Sequence, residues 1–424
     1  MFRCLFKRIT LGALCALSFP ATAVLESAGT PWKSWLSNHI SLHPEVIAAK
    51  EKMNSAFSLA EGRARPLYNP ELETEFEQEG QADSYRIGIN QTIDWWDKRG
   101  VRTRQASYSR VAAQHDFELT VQQKSAQSLQ ALVEWQAANQ LAELARSQEV
   151  QLGTLLDLVK ERHRVGDLGQ LDTELAFLSL SQKFNETAKA QVQLKQAEAR
   201  THELLLDWIS ARPKIPESFW LTPHLNLENS EQIHQWVIQH PTVLAARAEW
   251  EALQQFTELA RRETKPDPTF GINAGKSGEE NLVAITFSIP LNVRNNFSAE
   301  ARAANQAALS AEAQFQAIRR KQQFAIEASQ ATLHEYQQRF KRWQTLMQGC
   351  VESSGNLLKQ QWRNGGMNTT EYLLALQQRA EGLIAGIKLR TQFQLARIEW
   401  LFQTGQIKAA LTPLTQYLYL EKTL

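Results

Sequence analysis

Residues 85–95 read YRIGINQTIDW, a stretch in which apolar and polar side chains alternate. Tyr85, Ile87, Ile89 and Ile93 share one face, whereas the arginine, glycine, asparagine, threonine and aspartate of the stretch share the other. This period of two, held over about ten residues, is typical of a strand that crosses a membrane with one apolar face. The stretch therefore predicts a membrane strand, and the alternative is half of a hairpin that caps a soluble domain.

The residues around this stretch complete a predicted hairpin. Residues 71–79 (ELETEFEQE) set leucine, threonine and phenylalanine on one face and glutamates on the other, and a polar turn at residues 80–84 separates the two strands. Trp95 and Trp96 follow at the end of the returning strand, where the aromatic belt of a membrane interface would lie. These two tryptophans are candidate membrane-interface aromatics, and they favour the membrane strand over the soluble hairpin.

The same pattern recurs in the second half of the chain. Residues 43–50 (HPEVIAAK) reappear as residues 240–247 (HPTVLAAR), and the predicted strands 269–275 and 282–291 flank a second polar turn at residues 276–280. Asn69-Pro70 reappears as Asp267-Pro268, and Gly166 reappears as Gly365. Because these landmarks keep one order and offsets of 197 to 199 residues, we infer that the chain consists of two copies of one unit.

Each unit also predicts a long helical hairpin. A helix (residues 44–64 and 241–263) precedes each strand pair, and a proline-free run (101–164 and 298–364) follows it. At a rise of 1.5 Å per residue, such a run makes a rod of roughly 90–100 Å. Each rod ends at a glycine turn, near residue 166 or residue 365, and second helical runs (171–211 and 370–402) fold back along it.

The N-terminus has the order of a secretory signal. Arg3, Lys7 and Arg8 precede a short apolar run, and Ala21-Thr22-Ala23 supplies a cleavage site. We therefore expect residues 1–23 to be removed as a signal peptide, the alternative being a buried first helix. Cys350 is then the only cysteine that remains, so no internal disulfide is expected.

These observations predict the domain organisation and the fold class. Residues 24–212 form the first repeat, 213–227 a linker, 228–405 the second repeat and 406–424 a C-terminal tail. The fold is mainly α-helical with a membrane β-barrel. Because open sheet edges are not tolerated in lipid, the four strands of one chain cannot close a barrel alone, and several copies must contribute strands.

Charge and motif content exclude several classes of function. Acidic and basic residues nearly balance, with 46 Lys and Arg against 45 Asp and Glu, and they are interspersed, so no nucleic-acid partner is expected. The nine histidines are scattered without metal-ligand spacing. The chain has no nucleophile elbow, phosphate loop or dinucleotide turn, so we expect neither an enzyme nor a cofactor or metal site.

The whole pattern resembles the TolC family of outer-membrane efflux channels, over about residues 32–405. The resemblance rests on the two His-Pro helix starts, on QTIDWWDKRG at residues 91–100, on SIPL at residues 288–291, and on the turns RVGDL (164–168) and RNGGM (363–367). It implies a homotrimer in the outer membrane of a Gram-negative bacterium. Its twelve strands would form one β-barrel, continuous with an α-barrel in the periplasm.

The resemblance also implies a function and partners. The trimer would be the passive channel of a tripartite efflux pump, contacting outer-membrane lipid, a periplasmic adaptor and an inner-membrane RND-type transporter. The periplasmic turns would contact the adaptor, which gives six tip candidates: Gly166, Asp167, Leu168, Gly365, Gly366 and Met367.

Acidic residues near the same turns would ring the periplasmic aperture in this family. Here the gate candidates are Asp172 and Glu371, and Leu374 stands where the family has a further acid. The alternative for both acids is an ordinary position in the first turn of a helix, where the helix dipole favours negative charge.

The cargo remains open between several classes. The Lys98-Arg99 strand exit resembles the cobalt-zinc-cadmium branch of the family, which expels metal cations, and glutamates facing the lumen would favour cations. Other small toxic compounds are an alternative cargo. A duct for protein secretion and a soluble periplasmic coiled-coil protein are the alternative functions.

Overall fold

The computed structural model describes residues 31–79, 82–166, 169–206, 208, 214–220, 230–347 and 350–411. The predicted signal peptide (1–23), Asp167 and Leu168 lie outside the described residues. So do parts of the predicted linker and tail.

The two halves of the chain have the same order of elements. The first half contains α1 (Pro31–Ser41), α2 (Pro44–Ala64), β1 (Glu71–Glu79), β2 (Ala82–Thr92), α3 (Lys98–Arg164) and α4 (Gln170–Leu204). The second half contains α5 (Ser230–Gln239), α6 (Pro241–Glu263), β3 (Thr269–Ser277), β4 (Glu280–Ser288), α7 (Ser298–Met347), α8 (Cys350–Arg363) and α9 (Thr369–Gln403), followed by α10 (Ile407–Leu411). The duplicated helix-and-hairpin unit is therefore present in the structure, and α7 and α8 together occupy the place of α3.

The hairpin turns are shorter than the predicted five-residue turns. Glu79 pairs with Ala82 and Ser277 with Glu280, so two residues separate the strands in each hairpin. Gly278 has a φ of 60°, which suits the first central position of a two-residue hairpin turn. Because the strands extend further into the turns, β2 begins at residue 82 rather than 85, and β3 ends at residue 277 rather than 275. β2 also ends at residue 92 rather than 95.

The predicted bounds also differ at two other places. The predicted strand 282–291 is β4 at 280–288, and it ends before Pro290, which has no N–H for a strand ladder. The predicted helix 171–211 is α4, which ends at Leu204. Leu205 is extended, and the Trp208 ring is buried edge-to-face against Trp135, with ring centroids 4.9 Å apart.

The four strands form one antiparallel sheet in the order β1-β2-β3-β4. Leu72 pairs with Ile89, Ile89 with Ile272, and Ile272 with Ile285, so one row of apolar side chains crosses the whole sheet. The β2–β3 pairing joins the two repeats in the middle of this sheet.

The main core lies between the long helices, near the middle of their length. Leu129 and Leu132 of α3, Leu333 of α7 and Ile398 of α9 are at most 1% exposed and pack in one cluster. Trp32 of α1 and Trp220, from the connection between the repeats, close this cluster. The two repeats therefore share one core, and they are held together both by the sheet and by the helices.

The repeated His-Pro pairs begin two equivalent helices. His43 and His240 are N-cap residues with extended backbones, and Pro44 and Pro241 follow at the first helical position. In both caps the imidazole Nδ1 accepts a hydrogen bond from a backbone N–H two residues on, at 3.2 Å from Glu45 and 3.3 Å from Thr242. His240 is also buried, and its Nε2 lies 3.2 Å from the carbonyl oxygen of Phe402, to which it donates in this tautomer.

Acid should weaken the α6 cap. Burial lowers the pKa of His240 in the folded protein. As the pH falls, the His240 imidazole is therefore protonated in the unfolded chain before it is protonated in the folded chain. The stability that depends on neutral His240 is complete above about pH 6.5 and declines as the pH falls below that value. We expect the melting temperature of the purified protein to drop less between pH 8 and pH 5 in His240→Asn, which keeps a capping side chain, than in the unmodified protein.

The alanine variant separates the cap from the titration. His240→Ala should lose about 1 kcal/mol at pH 8 through the missing cap alone. Equal pH dependence of the unmodified protein and His240→Asn would contradict this role of the histidine.

Candidate functional site

One face of the sheet is apolar and exposed. Val283, Ile285 and Leu72 are 76%, 81% and 71% exposed, although each lies within a strand of the sheet. The other exposed apolar side chains of this face are Phe76, Tyr85, Ile87, Ile89, Phe270, Ile272 and Phe287. A contiguous apolar surface of this kind is typical of a contact with lipid or with another protein. Its position confirms the alternation that the sequence showed.

The opposite face is polar and lined by small residues. Arg86 donates to Glu75 across the first hairpin at 2.7 Å, and Asn90 donates to Glu73 at 2.7 Å. The predicted row of glutamates is therefore in part neutralised by the neighbouring strand, because Arg86 pairs with Glu75. The sequence pattern placed the glutamates and this arginine on polar strand faces, and the register of the hairpin adds that Arg86 and Glu75 are paired.

Glycine is required where β2 and β3 approach each other on the polar face. Asn273 is 3% exposed and lies beside Gly88. A Cβ atom at Gly88 would stand 1.5 Å from Asn273 Oδ1, so no other residue fits there unless the asparagine moves. A Cβ atom at Gly271 would collide in the same way with the side chain of Asn90, the residue opposite it on β2.

Both outer strands of the sheet have an open edge. Among the described residues, β1 is hydrogen-bonded only to β2, and β4 only to β3. The unpaired backbone N–H and C=O groups of such an edge are a template for another strand. The sheet is therefore complete in its side-chain pattern and incomplete at both edges.

The two predicted interface tryptophans lie just beyond β2 rather than at its end, because β2 stops at Thr92. Trp95 is 63% exposed. Trp96 is held in place, since its indole N–H donates to the carbonyl oxygen of Pro266 at 3.0 Å and Lys265 Nζ lies 4.3 Å from its ring centroid. One tryptophan is thus free to meet an external surface, and the other is part of the sheet–helix junction.

The sheet–helix junction contains a buried ion pair that sequence reasoning missed. Lys98 Nζ lies 2.9 Å from Asp267 Oδ2, and the two side chains are 10% and 3% exposed. Tyr68 donates to the same Oδ2 at 2.8 Å, and Lys98 also donates to the carbonyl oxygen of Lys265 at 2.7 Å. Burial and the hydrogen bond to Asp267 raise the pKa of Tyr68 to about 12. The sequence feature that could have indicated this ion pair is the aspartate at position 267, where the first repeat has Asn69.

The far ends of the helical hairpins carry the predicted tip residues. Gly166 follows the end of α3 and Gly365 follows the end of α8. Their φ values are 83° and 75°, a conformation that favours glycine. A Cβ atom at either glycine would meet nothing within 4 Å. Gly366 donates its backbone N–H to Gln361, and Met367 packs against the apolar cluster of the tip.

The structure brings the two predicted gate acids to the same end of the molecule. Asp172, in the first turn of α4, accepts a hydrogen bond from Thr370 of α9 at 3.3 Å. Glu371 forms a capping box with Asn368: its backbone N–H donates to the Asn368 side chain, and its carboxylate accepts from the Asn368 backbone. Glu371 therefore has a helix-capping role, and Asp172 links the starts of the two returning helices.

Aromatic residues hold the two tips together beneath these acids. Trp362 and Tyr372 stack with ring centroids 5.1 Å apart, and the Arg162 guanidinium lies 5.0 Å from the Trp362 ring centroid. Leu155, Leu156 and Val159 of α3 complete the cluster. Side chains of both repeats thus build one tip.

Within the ranges that the structure describes, no three His, Cys, Asp or Glu side chains are grouped so that they could hold a metal ion. None of the helices in those ranges has the length and apolar character needed to cross a membrane.

Known proteins show the same architecture. Residues 45–205 match the family model of the outer membrane efflux proteins, and a comparison with curated proteins gives no match. The outer-membrane channel OprN matches with a TM-score of 0.74 at 13% identity, over 89% of this chain and 90% of that chain. CusC matches with a TM-score of 0.74 at 13% identity, over 90% and 95%. The Campylobacter jejuni CmeC outer membrane channel matches with a TM-score of 0.75 at 12% identity, over 93% and 89%.

These matches confirm the resemblance that the sequence indicated. The solved structures share the fold along nearly the whole chain, and the family model covers the first repeat. The protein accordingly has the fold of an outer-membrane channel.

The Gly88–Asn273 contact gives a test of the sheet. Gly88→Ala should lower the amount of folded protein in membranes, because its Cβ atom collides with a buried side chain. Gly88→Ala combined with Asn273→Ala should recover folded protein, since the second change removes the colliding atom. Equal yields from the single and the double variant, measured by resistance of membrane fractions to protease, would contradict this packing.

Proposed function

Because residues 45–205 carry the outer membrane efflux protein domain and the chain has the fold of an outer-membrane channel, we propose that it is the outer-membrane channel subunit of a tripartite efflux pump. The observation that carries the proposal is the sheet with one exposed apolar face, one polar face and two open edges. Such a sheet fits a wall segment of a water-filled barrel, with lipid outside and cargo inside.

A homotrimer completes this wall. β1 and β4 run in opposite directions at the two ends of the sheet, so β4 of one copy can pair with β1 of the next in the same antiparallel manner as β2 with β3. The family resemblance implies three copies and hence twelve strands in the barrel. The long helices of the same three copies form the tunnel through the periplasm.

The tips of the helical hairpins are the proposed contact with the adaptor. Gly166, Gly365 and Gly366 give these turns little side-chain bulk, and Met367 adds an adaptable apolar side chain. Asp167 and Leu168 belong to the same proposed surface. An inner-membrane RND-type transporter would deliver cargo through the adaptor.

The aperture of the channel would lie at this end. Asp172 and Glu371 lie in the first turns of the two returning helices, so three copies would place six carboxylates around one opening. Such a ring attracts cations and repels anions. Small cations, including those of heavy metals, are therefore the proposed cargo class, with small toxic compounds as the alternative.

Conductance measurements test the aperture. We expect Asp172→Asn with Glu371→Gln to lower the preference for cations over anions in planar bilayers, because the ring loses its charge. Glutamine can keep the capping box, so the helix start should survive. Glu174→Gln, two positions from Asp172 on an exposed face of α4, is the matched control and should leave the preference unchanged. An unaltered preference in the double variant would contradict the gate assignment.

The cargo is tested in cells. Deletion of the gene should lower tolerance to zinc or cadmium more than tolerance to hydrophobic drugs, and the unmodified gene should restore it. The reverse order would favour small toxic compounds, and unchanged tolerance with loss of a secreted protein would favour a secretion duct.

A further inference from the structure

The two hairpins of this chain came from one unit, and their similarity creates a pairing problem. A ring of such hairpins contains two kinds of seam: β2–β3 within a chain, and β4–β1 between chains. Both seams are antiparallel and join the second strand of one hairpin to the first strand of another. Two wrong seams, β2–β1 and β4–β3 between chains, have the same backbone geometry.

The chain connection alone does little to prevent wrong pairing. Thr92 and Thr269, which pair at the base of the β2–β3 seam, are 177 positions apart in the chain. A long connection gives only a modest effective concentration, so an identical hairpin from another copy competes for the same edge.

The β2–β3 and β4–β1 seams have the same backbone geometry, but the side chains at their bases differ. Lys98, the first residue of α3, corresponds to Ser298, the first residue of α7, and a left-handed residue precedes each helix (Asp97, φ 53°, and Phe297, φ 55°). Asp267 corresponds to Asn69 at the repeat offset of 198 residues. The β2–β3 seam therefore carries a lysine and an aspartate, whereas the β4–β1 seam carries a serine and an asparagine.

We propose that the buried Lys98–Asp267 pair is a pairing-specificity device, which directs β2 to a β3 strand rather than to a β1 strand and leaves the neutral β4 and β1 edges to pair with each other. In a β2–β1 seam Lys98 would meet Asn69, and in a β4–β3 seam Asp267 would meet Ser298. Each wrong seam buries a charge without its counter-charge, which is strongly unfavourable. The pair thus acts against the alternatives as well as for the correct seam. The proposal rests on the trimer proposed above.

The surrounding contacts fit this role. Asp267 Oδ2 accepts from both Lys98 and Tyr68, and the residue that corresponds to Tyr68 in the second repeat is Pro266, which has no hydroxyl. Arg262 donates to Asp97 at 3.0 Å and to the Trp96 carbonyl oxygen at 2.9 Å, across the same seam. At the helix offset of 197 residues, the counterpart of Arg262 is Arg65, which pairs with Glu61 of its own helix at 2.9 Å instead of reaching across a seam. The charged contacts described here are therefore concentrated at the β2–β3 seam.

Cysteine cross-linking reports which seam forms. Ile89 and Ile272 are paired across β2 and β3, so cysteines at these positions, in a Cys350→Ser background, should form a disulfide within one chain. A wrong β2–β1 or β4–β3 seam separates these two positions of one chain and leaves their cysteines free to react with other chains. We expect the unmodified seam to give mainly the intramolecular product in oxidised membrane fractions.

Three variants distinguish specificity from simple stability. K98S/D267N makes both seams neutral, and we expect intermolecular products to rise several-fold. K98S/D267N/N69D/S298K moves the pair to the β4–β1 seam; the seams differ again, and we expect the intramolecular product to return. N69D/S298K alone puts a pair at both seams, and we expect mispairing despite the added ion pair.

The outcomes are separable. If K98S/D267N keeps the intramolecular product of the unmodified protein, the pair has no role in pairing. If the moved-pair variant mispairs as much as K98S/D267N, the pair only stabilises its own seam, and the proposal is overturned. If the unmodified protein forms no trimer in membranes, the proposed function fails instead, because that result does not depend on these variants.

Discussion

Unpaired backbone groups in lipid are the constraint on which the rest of this structure depends. The bilayer core has no water to satisfy the open N–H and C=O groups of β1 and β4, and each unsatisfied group costs several kcal/mol. The exposed apolar side chains of the sheet, such as Ile285 and Val283, fit the proposed contact with lipid on one face. The chain meets both demands only if other copies cover its edges. The strand order and the exposed face thus account for an assembly that one chain cannot form.

The length of the helices determines how far the structure reaches from the sheet. α3 alone contains 67 residues, which at 1.5 Å per residue is a rod of about 100 Å. Its start is fixed to the sheet by Asp94, whose carboxylate accepts from the backbone N–H groups of Lys98 and Arg99, both at 2.7 Å. At its other end, Arg162 of α3 lies on the ring of Trp362, which stacks on Tyr372 of the second repeat. A rigid sheet–helix junction and a tied tip are what a conduit across a wide gap needs.

Much of this architecture could be predicted from the sequence, because its signals are periodic or repeated. The helix starts at Pro44 and Pro241, the strand faces and the glycine turns all follow from local pattern. The two-residue hairpin turns were missed, since polar residues such as Ser84 and Lys276 continue the strand ladder while resembling a turn. The end of α4 was missed because the burial of Trp208 depends on the tertiary contact with Trp135. The Lys98–Asp267 pair joins residues far apart in the chain, and only the fold brings them together. For Asp172 and Glu371 the sequence left open an aperture ring or an ordinary helix start. The structure places both in first turns of helices, and the proposed aperture depends on neighbouring copies.

The most direct test of this account is the mass of the particle extracted from outer membranes in mild detergent, measured by native mass spectrometry. The account predicts a particle of three mature chains, because twelve strands close the barrel and leave no open edge. A single chain with its four-stranded sheet intact in lipid would contradict it.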